Sequence, residues 1–393
     1  MNLQPIFLLL LVVFPLQFFG QSKIVGTVYD EQTKQPIQFA SVYIDGSTNG
    51  TMSDANGNFH LEKIQFPCTL VVSHLSYNSK SVYLKEGIDS PLNLLMRSRE
   101  IKIQEVNITD KNLRDRNLGS FRKEFLGEDV WGRNATIENE DVIHFTKDYQ
   151  KAQSKIYNKI LPNFIKLEGD SLVWSADSTL VTYKIASNLK ANSGKPLKIN
   201  LPLLGYTCYY DIVEFVWQYQ TGLNADVCFN LGYSYFQEQP YGTKRDSIRI
   251  QKNRVKNYYN SAQHFRKSLF EKQLAQNGYK VYGSILDEAK GKLKFKEVDL
   301  ESCLQRKGNM AKVIGLQGIK LNILYYKNLK GLPIDLTKKW KGISPITSTV
   351  IFINDTCIIR DTGSVPDNSI VFGPEIGLKK FGSLLPDNYV PSK

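Results

Sequence analysis

The stretch VGTVYDEQTKQPIQFASVYIDGSTNGTMSDANGNFHL, residues Val25 to Leu61, decides how the first part of this chain folds. Ile24 to Tyr29 reads as a short strand, and the polar run that follows ends at Pro36. That residue fixes its own φ and favours an extended neighbour before it, so it launches the next strand, Phe39 to Ile44. Asp45-Gly46 and Asn49-Gly50 read as turn pairs, because glycine accepts the positive φ that such turns require. Ala55-Asn56-Gly57 is a further turn, followed by the alternating Phe59 to Glu62. Downstream, Thr69 to Ser73, Ser79 to Leu84 and Leu92 to Met96 read as strands. Short strands punctuated by turn signals at this density predict a small β-sandwich over residues 23–97.

The residues that carry this pattern are Gly26, Thr27, Val28, Asp30, Thr33, Pro36, Ile37, Ala40, Val42, Ile44, Gly46, Ser47, Gly50, Thr51, Ser53, Asp54, Gly57 and Phe59. Together they resemble the carboxypeptidase regulatory-like domain, a transthyretin-like sandwich. The resemblance implies a seven-stranded, transthyretin- or immunoglobulin-like fold. In that family such domains sit beside metallocarboxypeptidase domains and, in Bacteroidota, at the N-termini of TonB-dependent receptors and other envelope proteins. It implies no particular activity, because sandwich modules host many roles.

Composition bounds the remainder. The chain has 393 residues, enough for two or three domains, and its 21 Tyr and 20 Phe favour β-rich architecture. Lys and Arg outnumber Asp and Glu by 50 to 38, a net charge of +12. Such a balance suits nucleic acid, an anionic surface or solubility alone. Ile6 to Phe14 is a nine-residue apolar run, shorter than the ~20 residues a spanning helix needs. It reads as the core of a signal peptide over residues 1–22, with Gly20 and Ser22 suited to cleavage after Ser22, or after Gly20 instead. No Lys or Arg precedes the run, a departure from the usual pattern. No cysteine near its end invites a lipid anchor. The expectation is an exported protein of the periplasm or outer membrane, soluble once the signal is removed, for which nucleic acid is a poor partner and an anionic envelope surface a possible one.

Residues 98–120 are charged, contain one alternating segment at Ile101 to Ile108, and read as a linker. Residues 121–393 read as a larger β-rich α+β domain. Within it, Tyr149 to Ile160 is expected to be a short helix and Asn188 to Pro196 a polar loop. Phe164 to Lys184 is expected to give three strands, the first two flanking a Gly169-Asp170 turn. Leu197 to Leu201, Cys208 to Gln218 and Cys228 to Phe236 read as strands. From Thr243 to Asn277, Ile248, Val255, Tyr258, Ala262, Phe265, Leu269 and Leu274 form the stripe of one long amphipathic helix, stopped by Gly278. Its other face carries Arg245, Arg249, Lys252, Arg254, Lys256, Arg266, Lys267 and Lys272, which could meet phosphates or an acidic partner, or remain solvated. Further strands follow, with Asn354-Asp355 expected as a hairpin turn between VIFI and CIIR. The phrases LGYTCYYDIVEF from Leu204, YFQEQP from Tyr235, the run from Lys252 to Leu274 and the closing LLPDNY resemble a Bacteroidota family that sets this sandwich before an uncharacterised C-terminal region.

No catalytic site emerges. A metallocarboxypeptidase takes two zinc ligands from an H-x-x-E pair, and none of His60, His74, His144 or His264 has Glu at the third following place. There is no nucleophile elbow, P-loop or dinucleotide fingerprint. Asp211 and Glu214 are three apart in a strand and should point to opposite faces, a poor geometry for a glycosidase pair. Asp30 and Asp54 read as turn caps rather than ligands, and Tyr29, Phe39, Tyr43 and Phe59 as core rather than a binding face. Cys68, Cys208, Cys228, Cys303 and Cys357 have no zinc-type spacing. One disulfide, Cys208 with Cys228, is conceivable in an oxidising compartment, with small buried hydrophobes the alternative. No catalytic, metal or cofactor-binding residue is assigned, and no cofactor is expected. The reading is a non-enzymatic envelope protein whose sandwich mediates protein contact or orients the larger domain. A carbohydrate- or peptide-binding module and an unrecognised hydrolase are the alternatives. A TonB-dependent receptor is disfavoured, since about 270 residues after the linker leave too little chain for a plug and a large barrel.

Overall fold

The computed structural model describes residues 23–99, 111–155, 173–174, 180–219, 227–287, 292–340, 344–365 and 369–392. The chain is mainly β. Its first seven strands are β1 (Ile24–Asp30), β2 (Ser41–Ile44), β3 (Gly50–Met52), β4 (Asn58–Leu61), β5 (Cys68–His74), β6 (Tyr77–Leu84) and β7 (Leu92–Met96). They form two sheets, ordered β4-β1-β7 and β3-β2-β5-β6, with β1 parallel to β7 and antiparallel to β4. Alternation explains the first sheet: Ile24, Val28, Phe59, Leu61 and Leu94 point inward to a core shared with Val42, Leu70 and Val72 of the second.

β5 differs. Leu70, Val71, Val72 and Ser73 are all buried, so both faces of this strand are covered. Val71 pairs with Tyr43 on the face opposite Val42 and Val72, and that face packs on the second region.

The second region opens with α1 (Lys111–Leu126) and α2 (Val130–Asn134), the latter capped by the Asp129 carboxylate accepting from the Gly132 N–H at 2.8 Å. A seven-stranded antiparallel sheet follows, built from β8 (Thr136–Ile137), β9 (Ile143–Lys155), β10 (Val173–Trp174), β11 (Leu180–Ser193), β12 (Leu197–Leu201), β13 (Tyr206–Gln218) and β14 (Val227–Glu238). α1 lays Phe121 and Phe125 onto it, with ring centroids 4.7 Å from Phe215 and 5.3 Å from Tyr210 respectively. Two helices, α3 (Lys244–Tyr258) and α4 (Ala262–Phe270), lead to the last strands: β15 (Tyr279–Asp287), β16 (Lys292–Glu297), β17 (Leu304–Lys307), β18 (Met310–Ile314), β19 (Lys320–Tyr325), β20 (Ile346–Phe352), β21 (Thr356–Arg360) and β22 (Ile370–Phe372). These make a five-stranded sheet, β16-β15-β19-β20-β22, and a three-stranded one, β17-β18-β21, around a core that includes Phe265 and Leu269 of α4.

Several expectations are corrected. The single long helix is two, because Asn260 takes φ 57° and Ser261 restarts the chain by capping α4 through the His264 N–H. Apolar spacing in the sequence runs across the break, so periodicity alone does not show it; the stripe itself is also corrected, because Ile248, expected on it, is exposed, and Arg254, expected on the basic face, is buried beside Ile250, Asn257 and Tyr258. Tyr149 to Lys155, expected as helix, is strand, held by pairing along β11, and Asn188 to Ser193, expected as loop, is the other partner in that ladder. Residues 111–120, read as linker, are helix, with Leu118 buried. Asn354-Asp355 does not close a hairpin: β20 joins β19 and β22, whereas β21 joins β18, so the turn carries the chain between sheets. The expected strand at Ile101 to Ile108 and the Gly169-Asp170 turn lie outside the described residues.

The disulfide expectation also fails. Cys208 lies opposite Phe236, whereas Cys228 lies opposite Trp217, at the other end of β13. Nine residues of strand span roughly 30 Å, far beyond the ~7 Å Cα limit for a bridge. All five cysteines are free. Alkylation of denatured, unreduced protein followed by intact-mass measurement should therefore count five modified thiols; a count of three would mean a bridge.

Candidate functional site

The turn Asp45-Gly46-Ser47 leaves the N-terminal module and runs along the open edge of β14. The Gly46 N–H donates to Ser234 O at 2.8 Å and the Phe236 N–H to Ser47 O at 2.9 Å, placing Ser47 opposite Tyr235 in a parallel bridge. The Asp45 carboxylate accepts from the Ser234 N–H at 2.8 Å. On the turn's other side the C-terminal tail closes over it, with the Asp387 N–H donating to Gly46 O at 2.7 Å and Asn388 bonding Thr48 twice. Three separate parts of the chain thus share one short strip of backbone.

The glycines explain how they fit. A Cβ on Gly46, whose φ is +74°, would lie 2.7 Å from Asp387 Oδ2, and one on Gly50 would lie 2.5 Å from the Tyr235 ring. Gly50 has no positive φ, so it is required for space rather than conformation. Tyr235 stacks on Tyr43 at 5.2 Å between ring centroids and on Tyr209 at 6.4 Å.

The tail is also held from behind. Gln263 Nε2 donates to Pro386 O and Asp387 O at 3.1 and 3.0 Å, and Asn257 Nδ2 donates to Ser383 O. Arg254 is buried yet fully engaged: it donates to Leu204 O, Gly205 O and Glu238, and lies 3.9 Å over the Tyr206 ring. The four phrases at Leu204, Tyr235, Lys252 and LLPDNY therefore meet at one place. Two clefts open there. One, of about 270 Å³, is lined by Thr48, Tyr206, Glu238, Arg254, Asn388 and Tyr389. The other, of about 80 Å³, is lined by residues including Asp45, Lys63, Arg360, Thr362 and Asp387.

Electrostatics at this junction are tense. Burial raises the Asp45 carboxyl to about 6 and the Asp387 carboxyl to about 7. Arg266 and Arg360 oppose the rise at Asp387, and Arg360 opposes it at Asp45, but neither carboxylate has a direct ion pair with them among the described residues. Burial also lowers Arg266 to about 10. The bonds from Ser234 and Ser364 stabilise the charged forms without outweighing desolvation.

Elsewhere the singled-out residues have local partners. The Asp30 carboxylate accepts from the N–H groups of Gln32 and Thr33, and that of Asp54 from those of Asn56 and Asn58. Phe59 is core, but Tyr43 is buried against the second region and Phe39 is 63% exposed, so the four aromatics do not form one core face. Asp211 and Glu214 share a face after all. A bulge at Val213 places them opposite Tyr233 and Leu231, two residues apart on β14. Asp211 is buried and bonded to Ser79 of the module, whereas Glu214 is exposed. His264 is buried, lowered to about 3 by desolvation, and bonded to the Tyr279 hydroxyl at 2.8 Å. Burial raises the Cys68 and Cys228 thiols to about 11, which disfavours the reactive thiolate. Among the described residues no group of three or more His, Cys, Asp and Glu is placed to hold a metal ion.

Residues 24–108 match the CarboxypepD_reg-like domain family. Comparison with curated proteins gives no match. The docked turn lies within this match, and the docking surface of the matched segment is the face that carries Tyr43 and Val71.

Because both carboxyls are raised from 3.8, the docked state holds protons that a separated one releases. The associated stability is fully present below about pH 4 and is lost as the pH rises through 6 and then 7. Asp387→Asn, which keeps the shape without the charge, should melt above the parent at pH 8, by less at pH 5, and show little or no such advantage at pH 4 or below. A constant difference at all three pH values would refute this. Gly46→Val should destabilise at every pH, by about 1–3 kcal/mol from backbone strain alone, read by denaturant unfolding.

Proposed function

We propose that this chain is a non-enzymatic, exported cell-envelope protein in which the regulatory-like domain, a transthyretin-like sandwich, braces and orients the larger β-rich region. The observation that carries the reading is the Asp45–Ser47 turn, bonded to the β14 edge on one side and to the tail on the other. A module that served mainly as a free adaptor would keep its loops and outer sheet face available. Here Tyr43 and Val71 are 3% and 0% exposed. The missing H-x-x-E pair supports the non-enzymatic part of the reading, and the apolar run at Ile6 to Phe14 supports export. No helix among the described residues is long and apolar enough to cross a membrane.

A second reading follows from the larger cleft. Tyr206 and Tyr389, the amide of Asn388 and the carboxylate of Glu238 are the groups a short glycan or peptide would use. A glycan and peptide array that lights up with the parent and goes dark with Tyr389→Ala would favour it.

Bracing is tested on the full chain. Val71→Glu places a charge in the docking face while leaving the inner core intact, so small-angle scattering should show a larger radius of gyration and limited proteolysis should be faster than for the parent. Unchanged scattering and proteolysis would sink the bracing role. Fractionation of the native host, expected to recover a shortened chain in the envelope, tests export separately.

A further inference from the structure

The buried side of α3 is formed by Ile250, Arg254, Asn257 and Tyr258. At 100° per residue, Arg245, Ile248, Arg249, Lys252 and Lys256 fall within an arc of roughly 100° on the opposite side. All five are exposed, and Lys244 flanks them. Within this basic stripe Ile248 is 46% exposed, and Tyr241, just before the helix, is 37% exposed.

Structural economy does not account for the stripe. Asp246 pairs with Arg249 at 2.9 Å, but among the described residues no carboxylate forms an ion pair with Lys244, Arg245, Lys252 or Lys256. Lys244 and Arg245 also lie in the first turn, at the positive end of the helix dipole, where cations are disfavoured. The cations lie on the outward face of a helix, and the exposed aliphatic side chain of Ile248 falls among them. That combination fits a flat anionic interface, where Lys and Arg meet phosphates and apolar side chains reach past the headgroups.

We propose that the exposed face of α3 is a docking surface for an anionic phospholipid bilayer. The contact is peripheral and reversible, and it is independent of the bracing role. Its partner is the lipid phosphate surface; a soluble polyanion is the competing occupant, disfavoured by the exposed Ile248 within the stripe.

The test is co-sedimentation of the full chain with vesicles. With phosphatidylcholine vesicles containing about one third phosphatidylglycerol, binding should exceed that to pure phosphatidylcholine by roughly tenfold or more at low salt, and should weaken as salt screens the charges. The variant R245E/K252E/K256E should lose that excess. The variant K307E/K312E/K320E changes net charge equally on exposed β17, β18 and β19 positions and should bind like the parent. Ile248→Ser should weaken binding several-fold without changing charge. Matching thermal melts show that each variant is folded; if R245E/K252E/K256E fails to fold, the Ile248→Ser result and the β17–β19 control decide. The proposal is overturned by equal binding to both vesicle types, by equal losses in the two triple variants, or by retention on heparin with no vesicle binding.

Discussion

The backbone join between the two regions runs through one strip of peptide at Gly46. Its N–H bonds a sheet edge and its C=O bonds the C-terminal tail, so both backbone groups are committed to segments remote in sequence. A side chain at this position would strike Asp387, and the same argument at Gly50 involves Tyr235. Backbone can therefore approach backbone here as it does within a sheet. An edge strand that would otherwise expose unpaired N–H and C=O groups is partly capped in the process. Docking thus covers a weakness of the larger region and seats the module.

The same closeness creates the electrostatic tension. Asp45 and Asp387 enter the junction to serve backbone contacts, and among the described residues neither has a direct ionic partner. Arg254 is the contrasting case: each of its polar nitrogens has an acceptor, and its plane rests on Tyr206. A buried cation that is completely bonded adds rigidity, whereas buried carboxylates that are incompletely paired leave the junction dependent on proton activity. The cleft beside the tail therefore has one stiff wall and the turn beneath it one adjustable contact.

The N-terminal strands were legible because alternation and turn residues are local signals, read without knowing what lies across the sheet. The misread segments are those where a distant partner decides. Tyr149 to Lys155 has no strong strand preference of its own and becomes strand through β11. The apolar spacing read from Ile248 to Leu274 runs through Asn260, so a positive φ interrupts it invisibly, and burial of Arg254 in place of Ile248 is decided by the carbonyls of Leu204 and Gly205 and by Glu238, which the sequence does not place there. The bulge at Val213 reverses a face assignment that simple alternation makes with assurance. At the junction, the Asp45-Gly46 and Asn49-Gly50 pairs were visible as turns, but their steric role requires Asp387 and Tyr235, residues far along the chain.

One sequence signal did bear on the junction, and it is general. In a module with a single small core, a strand should alternate, with its outer residues polar. CTLVVSH does not, and FASVYI sets Tyr43 beside Val42. Left alone, the module would present Tyr43 and Val71 to water as an adjacent pair on one sheet face. Hydrophobic burial on both sides of one strand therefore signals a neighbour even before the neighbour is known. On that reasoning the regulatory-like domain is incomplete as an isolated unit, because its second face is covered by the larger region, whose Tyr235 stacks on Tyr43.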